Sequence, residues 1–320
     1  MAGELRNQLS WSFSRHGSFQ TCLRGYYYHY YGAWGGWAAD ADPGVRRLYV
    51  LKNLKSRHLW AGAIVHEAIA RLLERARHRQ PLPRAEADRD AFAEEAVARM
   101  RVEFRQSRSG EYLKEPRRVC GLLEHHYVEP VAGEDWRALA DQVRCSIRNF
   151  LDGPHLALAG EVAREDWLAL EDLESFPLGG VPVFVKMDLA WRPPAGGLLI
   201  IDWKTGRREP QSDGLQLAVY ALHACERWGA DPASIEIREV NVSSGAQSAA
   251  HFSAGQLEGA RAAITASIAA MRARLADADA NLARLEDFPA QPAPRTCRWC
   301  CFREACSACA GPAPGQGGGA

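Results

Sequence analysis

Apolar positions in the first half of the chain repeat mainly with the spacing of an amphipathic helix. Between Ser56 and Arg79 they fall three or four residues apart, which places them on one helical face. That face carries Ala61, Ile64, Val65, Ala68, Ile69, Leu72 and Leu73. Helical patterns continue through residues 84–106 and 134–152, so two further helices are predicted there.

The pattern changes to strands in the second half. Residues 158–170, 180–192 and 197–203 are predicted strands, separated by glycine-containing turns such as Gly179-Gly180. Helices placed around a set of strands predict an α/β fold.

The pattern returns to helices towards the C-terminus. A helix is predicted from Ser212 to Trp228, followed by strands near residues 234–242 and 246–252. A long helix then opens at a capping box formed by Ser253 and Gln256, and it must end before Pro289. Its apolar stripe consists of Leu257, Ala260, Ile264, Ile268, Met271 and Leu275.

The strand at residues 197–203 ends abruptly in charge. Its unbroken apolar run indicates a central, buried strand, and it leads directly into Asp202-Trp203-Lys204. Because strand side chains alternate between faces, Asp202 and Lys204 are expected side by side on one face. Buried charges are costly unless they pair or bind a metal, so either a salt bridge or a metal site is predicted.

A second acid lies in the preceding predicted strand. Alternation places Asp188 on the face opposite Val185 and Met187. If the two strands form a hairpin, Asp188 and Asp202 can converge on one hard cation such as Mg²⁺.

Three other side chains are candidates for the same site. Gln216 and Tyr220 are four residues apart on the next predicted helix and therefore share a face. His66 lies on the flank of the helix at residues 56–79, where it could equally be an ordinary core or surface histidine.

Composition bounds these interpretations without deciding them. The 320 residues are 47% hydrophobic, which is enough for one large core, and 39 basic side chains balance 39 acidic ones. Any nucleic-acid binding must therefore come from a local patch. No apolar run of 18 residues occurs, and a soluble, cytoplasmic protein is expected.

One local patch is the aromatic N-terminal segment. Up to residue 58 it carries eight basic and three acidic side chains. Many aromatic residues lie among those charges, including Trp11, Phe13, Phe19, Tyr26, Tyr27, Tyr28, Tyr30, Tyr31, Trp34 and Trp37. Such a mixture is typical of single-strand nucleic-acid binding, and a buried aromatic layer is the alternative.

The cysteines indicate a metal centre. Five of the nine lie between residues 297 and 309, and Cys297, Cys300 and Cys306 form a tight set of three thiolates. A fourth ligand for zinc or an iron–sulfur cluster could be Cys301, Cys309 or Cys22. Three other cysteines lie in apolar patterns and are predicted to be buried thiols: Cys120, Cys145 and Cys225.

These motifs together resemble the PD-(D/E)XK nucleases, specifically the RecB/AddB-like branch with C-terminal iron–sulfur cysteines. The resemblance rests on an acid in one strand, the sequence IIDWKTG over residues 200–206, and a Gln-x-x-x-Tyr helix. It spans residues 9–309 and implies a restriction-endonuclease-like core, a small mixed sheet flanked by helices. Val185 departs from the pattern, because relatives commonly have glycine there.

The resemblance also implies roles for residues. Asp188 and Asp202 match the metal-binding acids, His66 matches the N-terminal metal ligand, and Lys204 matches the catalytic lysine. Gln216 and Tyr220 match the helix motif of the branch. Glu165 stands where many relatives have an accessory acid.

The segment around Cys22 is similar to the N-terminal segment of the iron–sulfur members. The resemblance therefore implies a structural [4Fe–4S] cluster held by Cys22, Cys297, Cys300 and Cys306. A local zinc site that uses Cys309 in place of Cys22 is the alternative.

The expected function is Mg²⁺- or Mn²⁺-dependent hydrolysis of DNA that is single-stranded or has free ends, in repair, recombination or CRISPR adaptation. A helicase or a CRISPR adaptation protein is an expected partner. A non-catalytic nucleic-acid-binding module and a zinc-ribbon interaction protein are the alternatives. The expected parts are residues 1–60 (aromatic and basic segment), 61–155 (helical region), 156–288 (nuclease core), 289–310 (cysteine segment) and 311–320 (disordered tail).

Overall fold

The computed structural model describes residues 6–206 and 214–309. Its α-helices are α1 Phe13–Thr21, α2 Leu23–Tyr27, α3 Pro43–Lys52, α4 Arg57–Arg77, α5 Glu86–Arg108, α6 Leu123–His126, α7 Gly133–Asp152, α8 Pro154–Glu161, α9 Gly214–Trp228, α10 Ala254–Arg272 and α11 Pro294–Arg298. Its strands are β1 Trp167–Ala169, β2 Leu173–Leu178, β3 Val181–Lys186, β4 Leu189–Trp191, β5 Leu198–Lys204, β6 Ile235–Asn241 and β7 Gln247–Ala250. The expected disordered tail lies outside the described residues.

The chain forms two compact units. The sheet unit contains residues 57–105 and 129–265, and the described part of the terminal unit contains residues 6–56, 106–128 and 266–309.

A five-stranded mixed sheet forms the centre of the sheet unit, in the order β1-β4-β5-β6-β7. The central strand β5 pairs antiparallel with β4 and parallel with β6. Its residues from Leu198 to Trp203 are all buried, as its apolar run predicts. Helices α4, α7 and α8 pack on one another, and α9 packs on β2, β3 and β6. This arrangement confirms the predicted fold class.

Two strand predictions are wrong in part. Of the strand expected at residues 158–170, the first four residues belong to helix α8, which Pro154 opens and which buries residues one turn apart, such as His155 and Ala159. Trp167–Ala169 of the same stretch forms strand β1. The strand expected at residues 180–192 is broken at Met187 and Asp188. Its first part pairs with β2 in a separate hairpin, and its second part joins the main sheet.

The later helices follow the predictions closely. Helix α9 ends at Trp228 as expected, while its expected start at Ser212 lies outside the described residues. The capping box before α10 is present: Ser253 Oγ accepts the Gln256 N–H at 3.3 Å, and Gln256 Oε1 accepts the Ser253 N–H at 2.8 Å. Helix α10 ends at Arg272, before Leu275 of the expected stripe.

The terminal unit joins the two ends of the chain by direct hydrogen bonds. Arg24 Nε donates to the Phe288 carbonyl at 2.8 Å, and Tyr28 Oη donates to the Ala305 carbonyl at 2.9 Å. The aromatic segment is largely a packing layer, since Trp11 and Tyr26 are fully buried. Trp34 and Trp37 are its exposed exceptions.

Among the described residues, no helix combines the length and the apolar character that a membrane span requires.

Candidate active site

The end of β5 presents Asp202 and Lys204 on one face of the sheet, as alternation predicts. Lys204 Nζ lies 2.5 Å from Asp202 Oδ2. The carboxylate is 5% exposed, whereas the ammonium group reaches partly into solvent. A buried acid is thus compensated by a half-buried cation.

Glu239 is a second acid beside the lysine, and sequence reasoning missed it. It lies directly opposite Asp202 in the parallel β5–β6 register, so the two side chains share a face. Glu239 Oε1 is 3.3 Å from Lys204 Nζ, and the residue is 1% exposed. The sequence feature that could have pointed to it is a glutamate next to the apolar Val240 in a predicted strand.

Asp188 lies at the bend between β3 and β4. Leu189 pairs with Ile201, which brings Asp188 beside the end of β5. The Trp203 backbone N–H donates to Asp188 Oδ2 at 2.7 Å. This hydrogen bond fixes the carboxylate and leaves Asp188 Oδ1 facing His66.

His66, Glu171 and Asp188 form a three-residue group. His66 Nδ1 lies 3.1 Å from Asp188 Oδ1 and 3.6 Å from Glu171 Oε1. One ligand atom from each of the three residues lies within 4.8 Å of the other two. Helix α4 supplies the histidine, and the turn before β2 supplies the glutamate.

The acid in this group is Glu171, whereas Glu165 was the expected accessory acid. Glu165 is exposed in a short 3₁₀ turn at Arg164–Asp166. Glu171 has a φ of +59°, which is strained for a residue other than glycine. Its N–H donates to the carbonyls of Met187 and Asp188 at 3.1 and 3.2 Å and so supports the bend.

The group is built to hold positive charge. Burial alone lowers the pKa of His66, but the hydrogen bonds and charges of Asp188 and Glu171 outweigh it and raise that pKa to about 10. Burial raises the pKa of Asp188, and the charges of Asp202 and Glu171 raise it further against the opposing effect of His66. Crowded carboxylates of this kind gain stability when a cation lies between them.

Helix α9 reaches the site through a chain of two hydrogen bonds, from Gln216 to Tyr220 and from Tyr220 to Asp202. Tyr220 Oη donates to Asp202 Oδ1 at 3.0 Å, and Gln216 Nε2 donates to Tyr220 Oη at 2.8 Å. Burial, followed by the charges of Asp202 and Asp188, raises the pKa of Tyr220. The phenol therefore stays protonated and serves as a donor that orients Asp202.

The donor set fits a divalent metal ion. Carboxylate oxygens are the ligands of Mg²⁺ and Mn²⁺, and one imidazole is compatible with Mn²⁺. Glu171 Oε1 is buried with no hydrogen-bond partner in the described structure, although it points to within 3.6 Å of His66 Nδ1. Asp202 lies next to this group, and its charge acts on Asp188.

The predicted cysteine ligands all belong to the terminal unit. Cys300 packs against the buried cluster that contains Cys306. Burial raises the pKa of the Cys300 thiol, and the charges of Cys22, Cys297 and Cys306 raise it further. Cys309 is also present, with its Sγ 2.9 Å from Cys297 Sγ.

The remaining cysteines differ in part from expectation. Burial is the main cause that raises the pKa of the Cys301 thiol, to about 12. The prediction of three buried thiols is wrong: Cys145 is exposed on α7, while Cys120 and Cys225 are half-buried. Cys145 and Cys225 lie on α7 and α9, where apolar neighbours do not specify the helix face, and Cys120 lies outside any helix, before α6.

Comparisons with known proteins agree with the geometry of the site. A search of curated proteins found no significant match. A family model described as the PD-(D/E)XK nuclease superfamily matches residues 10–307. Members of that superfamily are hydrolases that cleave phosphodiester bonds with divalent metal ions. Since the match covers nearly the whole chain, the protein belongs to the PD-(D/E)XK nuclease superfamily.

Proposed function

We propose that the protein is a Mg²⁺- or Mn²⁺-dependent deoxyribonuclease of the RecB-like type. Its substrate is DNA that is single-stranded or has free ends. The observation that carries the proposal is the placement of two charged groups at one sheet end: the metal-ligand group around Asp188 and the Asp202–Lys204 pair. A salt bridge between Asp202 and Lys204 alone would not require the three further ligand residues His66, Glu171 and Asp188.

In this proposal His66, Glu171, Asp188 and Asp202 hold the metal ion. When bound, the ion supplies positive charge that makes water more acidic and offsets the negative charge of the phosphate. The Trp203 N–H and the Tyr220 hydroxyl hold the two aspartates in place. These hydrogen bonds preorganise the carboxylates, so little reorganisation accompanies metal binding.

Lys204 acts as a cation rather than as a base. Burial lowers the pKa of Lys204, but Asp202 and Glu239 outweigh it and raise that pKa above the usual value. The ammonium group stays protonated at neutral pH. It can therefore donate hydrogen bonds to the attacking water and to the phosphate, where negative charge develops in the transition state.

The pathway we propose is DNA repair, recombination or CRISPR adaptation, in the cytoplasm. A helicase or a CRISPR adaptation protein is the proposed partner. The support for this step is the RecB-like pattern of His66, the IIDWKTG strand and the Gln216–Tyr220 helix motif.

The test is DNA cleavage by purified single variants. Asp202→Ala and Lys204→Ala should each reduce Mg²⁺-dependent cleavage of single-stranded DNA by about 10²-fold or more, since each removes a group that acts in the transition state. Asp166→Ala, an acid of the same unit outside the site, is the matched control. Wild-type activity in either variant, with native circular dichroism, would refute the assignment. A wild type that binds DNA without cutting it would instead be a non-catalytic binding module.

We further propose that Cys22, Cys297, Cys300 and Cys306 hold a structural [4Fe–4S] cluster. The proposal is supported by the packing of Cys300 against the cluster that contains Cys306, and by the charges of Cys22, Cys297 and Cys306 that act on the Cys300 thiol. Because such a cluster closes a very long loop, its binding should stabilise the terminal unit rather than take part in chemistry.

Cys22→Ser and Cys309→Ser form a matched pair for this test. Anaerobically purified wild type should be brown with about four irons per chain. Cys22→Ser should lose the iron and much thermal stability, while Cys309→Ser should keep both. A colourless protein with one zinc that depends on Cys309 and not on Cys22 would establish the local zinc site instead.

A further inference from the structure

Two tryptophans of the terminal unit lie open on its surface. Trp34 and Trp37 are 37% and 39% exposed, although most neighbouring aromatic side chains are at least half-buried. Their ring centroids are 5.0 Å apart, and the rings are nearly perpendicular at 85°. These two rings therefore lie outside the buried aromatic layer of the unit.

The backbone fixes the position of Trp37. Gly35 has a φ of +83°, and a Cβ on Gly36 would lie 2.3 Å from Tyr49 Cβ. Glycine at position 36 therefore lets the loop lie directly against α3, where the Trp37 ring contacts the Tyr49 ring at 6.1 Å. The exposed ring is held in one place and loses little entropy on binding a ligand.

Trp37 and Tyr49 border a shallow hollow of about 190 Å³ that is strongly basic. Four cations and one acid line it: Arg46, Lys114, Arg117, Arg118 and Glu115. Glu115 is 3.8 Å from Arg118, while Lys114 and Arg117 have no carboxylate within ion-pair distance in the described parts of the chain. This local excess of cations exists in a protein of zero net charge.

Like charges are crowded there rather than compensated. Burial lowers the pKa of Lys52, and the charge of Arg117 lowers it further. Arg46 is held in the hollow by hydrogen bonds to the carbonyls of Gly36 and Lys114, at 3.0 and 2.6 Å. Uncompensated cations around a fixed aromatic ring indicate a polyanion that also has flat apolar faces.

Trp34 borders a second hollow, of about 640 Å³. Tyr27 and Tyr31 form more of its aromatic wall, and its charged lining is one cation, Arg6, and one acid, Asp279. Since the Trp34 and Trp37 rings touch, the two hollows adjoin one aromatic ridge formed by these two rings.

We propose that this surface, the Trp34–Trp37 ridge with the Lys114–Arg118 turn, binds a single strand of DNA. Bases stack on the tryptophan rings, while Lys114, Arg117 and Arg118 contact phosphates. A single strand is favoured over a duplex because its base faces are accessible for stacking. The choice of DNA as the polymer rests on the proposed nuclease function, whereas the stacking and phosphate contacts do not.

Fluorescence anisotropy of the full-length protein tests the proposal, in buffer without added divalent metal so that no strand is cut. The probes are a mixed-sequence single strand of about twenty nucleotides and an abasic strand of the same length, which keeps the phosphates but lacks the bases. The variants are Trp37→Ala, Trp37→Phe and the double variant Arg117→Gln/Arg118→Gln. The controls are Trp299→Ala and Arg272→Gln, both exposed residues of the same unit.

Trp37→Ala should weaken binding of the normal strand by about 5- to 100-fold and binding of the abasic strand far less, while Trp37→Phe should stay close to wild type. The double arginine variant should bind both strands more weakly than wild type does. It should also lower the slope of log affinity against log salt by about 0.7 for each lost phosphate contact. The control variants should bind as wild type does.

Four results would overturn the proposal. The first is wild-type protein that binds no single strand, and the second is a Trp37→Ala variant that binds the normal strand within about twofold of wild type. The third is an equal loss of affinity of Trp37→Ala for the normal and the abasic strand. The fourth is wild-type protein that binds a blunt duplex or an acidic protein more tightly than it binds the single strand. A wild type that binds in the expected way but never cleaves removes the nuclease proposal alone. Wild-type protein that cleaves DNA, together with a Trp37→Ala variant that binds the normal strand as tightly as wild type does, removes the surface proposal alone.

Discussion

Glu171 and Glu165 offer a sharp test of the site, because sequence resemblance favours one and the structure favours the other. The substitution Glu171→Gln removes one negative charge and keeps the side-chain size and the backbone at its strained φ of +59°. The matched substitution Glu165→Gln removes the same charge six residues earlier, from an exposed turn. The two variants have the same net charge, so a difference between them reports on position alone.

The expected loss can be estimated from the geometry. Two unit charges about 4 Å apart interact by about 4 kcal/mol at an effective dielectric constant near 20. Lys186 Nζ, 2.5 Å from Glu171 Oε2, already offsets part of the carboxylate charge, and the Glu171 side chain is 22% exposed. We therefore expect Glu171→Gln to cost about 1–3 kcal/mol of metal-binding free energy, or roughly 5- to 150-fold in affinity.

Isothermal titration calorimetry with Mn²⁺ measures this loss directly, without requiring DNA cleavage. The metal dependence of cleavage then shows whether higher Mg²⁺ restores the activity of Glu171→Gln, as a weakened but intact site requires. Glu165→Gln should match wild type in both assays. Unchanged Mn²⁺ affinity in Glu171→Gln, or a larger loss in Glu165→Gln, would show that the three-residue group around His66 is not the metal site.

Two further predictions concern His66 and Asp188. His66→Ala and Asp188→Ala should reduce activity more in Mg²⁺ than in Mn²⁺, because Mg²⁺ requires nearly ideal octahedral geometry; equal small effects in both metals would place these residues outside the site. The folded pKa of His66, about 10, lies above its ordinary value of 6.5, so a metal ion binding at Nδ1 must displace a proton at neutral pH. Mn²⁺ affinity of wild type should therefore rise with pH from about 6 to about 8, and calorimetry of His66→Asn should show a flatter dependence. An equal slope in both proteins would refute ligation by His66.

The part of the site on β5 could be predicted from sequence because it depends on local rules. An apolar run followed by Asp202-Trp203-Lys204 specifies a buried strand end, and alternation then places both charges on one face. The α9 contacts follow the same logic, since Gln216 and Tyr220 are one helical turn apart.

The part of the site that sequence missed depends on long-range pairing. Alternation along residues 180–192 assumed one straight strand, but the chain bends at Asp188 and changes sheets. Glu239 faces Asp202 only because of the parallel register of β5 and β6, which no local pattern specifies. Glu171 joins the group through a turn with positive φ, which is not readable from its neighbours in sequence.

The two halves of the site therefore differ in how they are held. Asp202, Lys204 and Glu239 lie on paired central strands, so their relative positions are fixed by backbone hydrogen bonds of the sheet. The metal-ligand group instead combines a helix, a turn and a bend. Its cohesion comes from the hydrogen bonds of the Trp203 and Glu171 backbone N–H groups to the bend around Asp188.

This difference has a consequence for function. Lys204 is held beside the proposed metal ligands by ion pairs, with its Nζ 2.5 Å from Asp202 Oδ2 and 3.3 Å from Glu239 Oε1. Lys204→Ala should thus impair the chemical step itself, whereas substitutions of the proposed metal ligands, Asp202 among them, should act through metal affinity and be rescued by higher metal concentration.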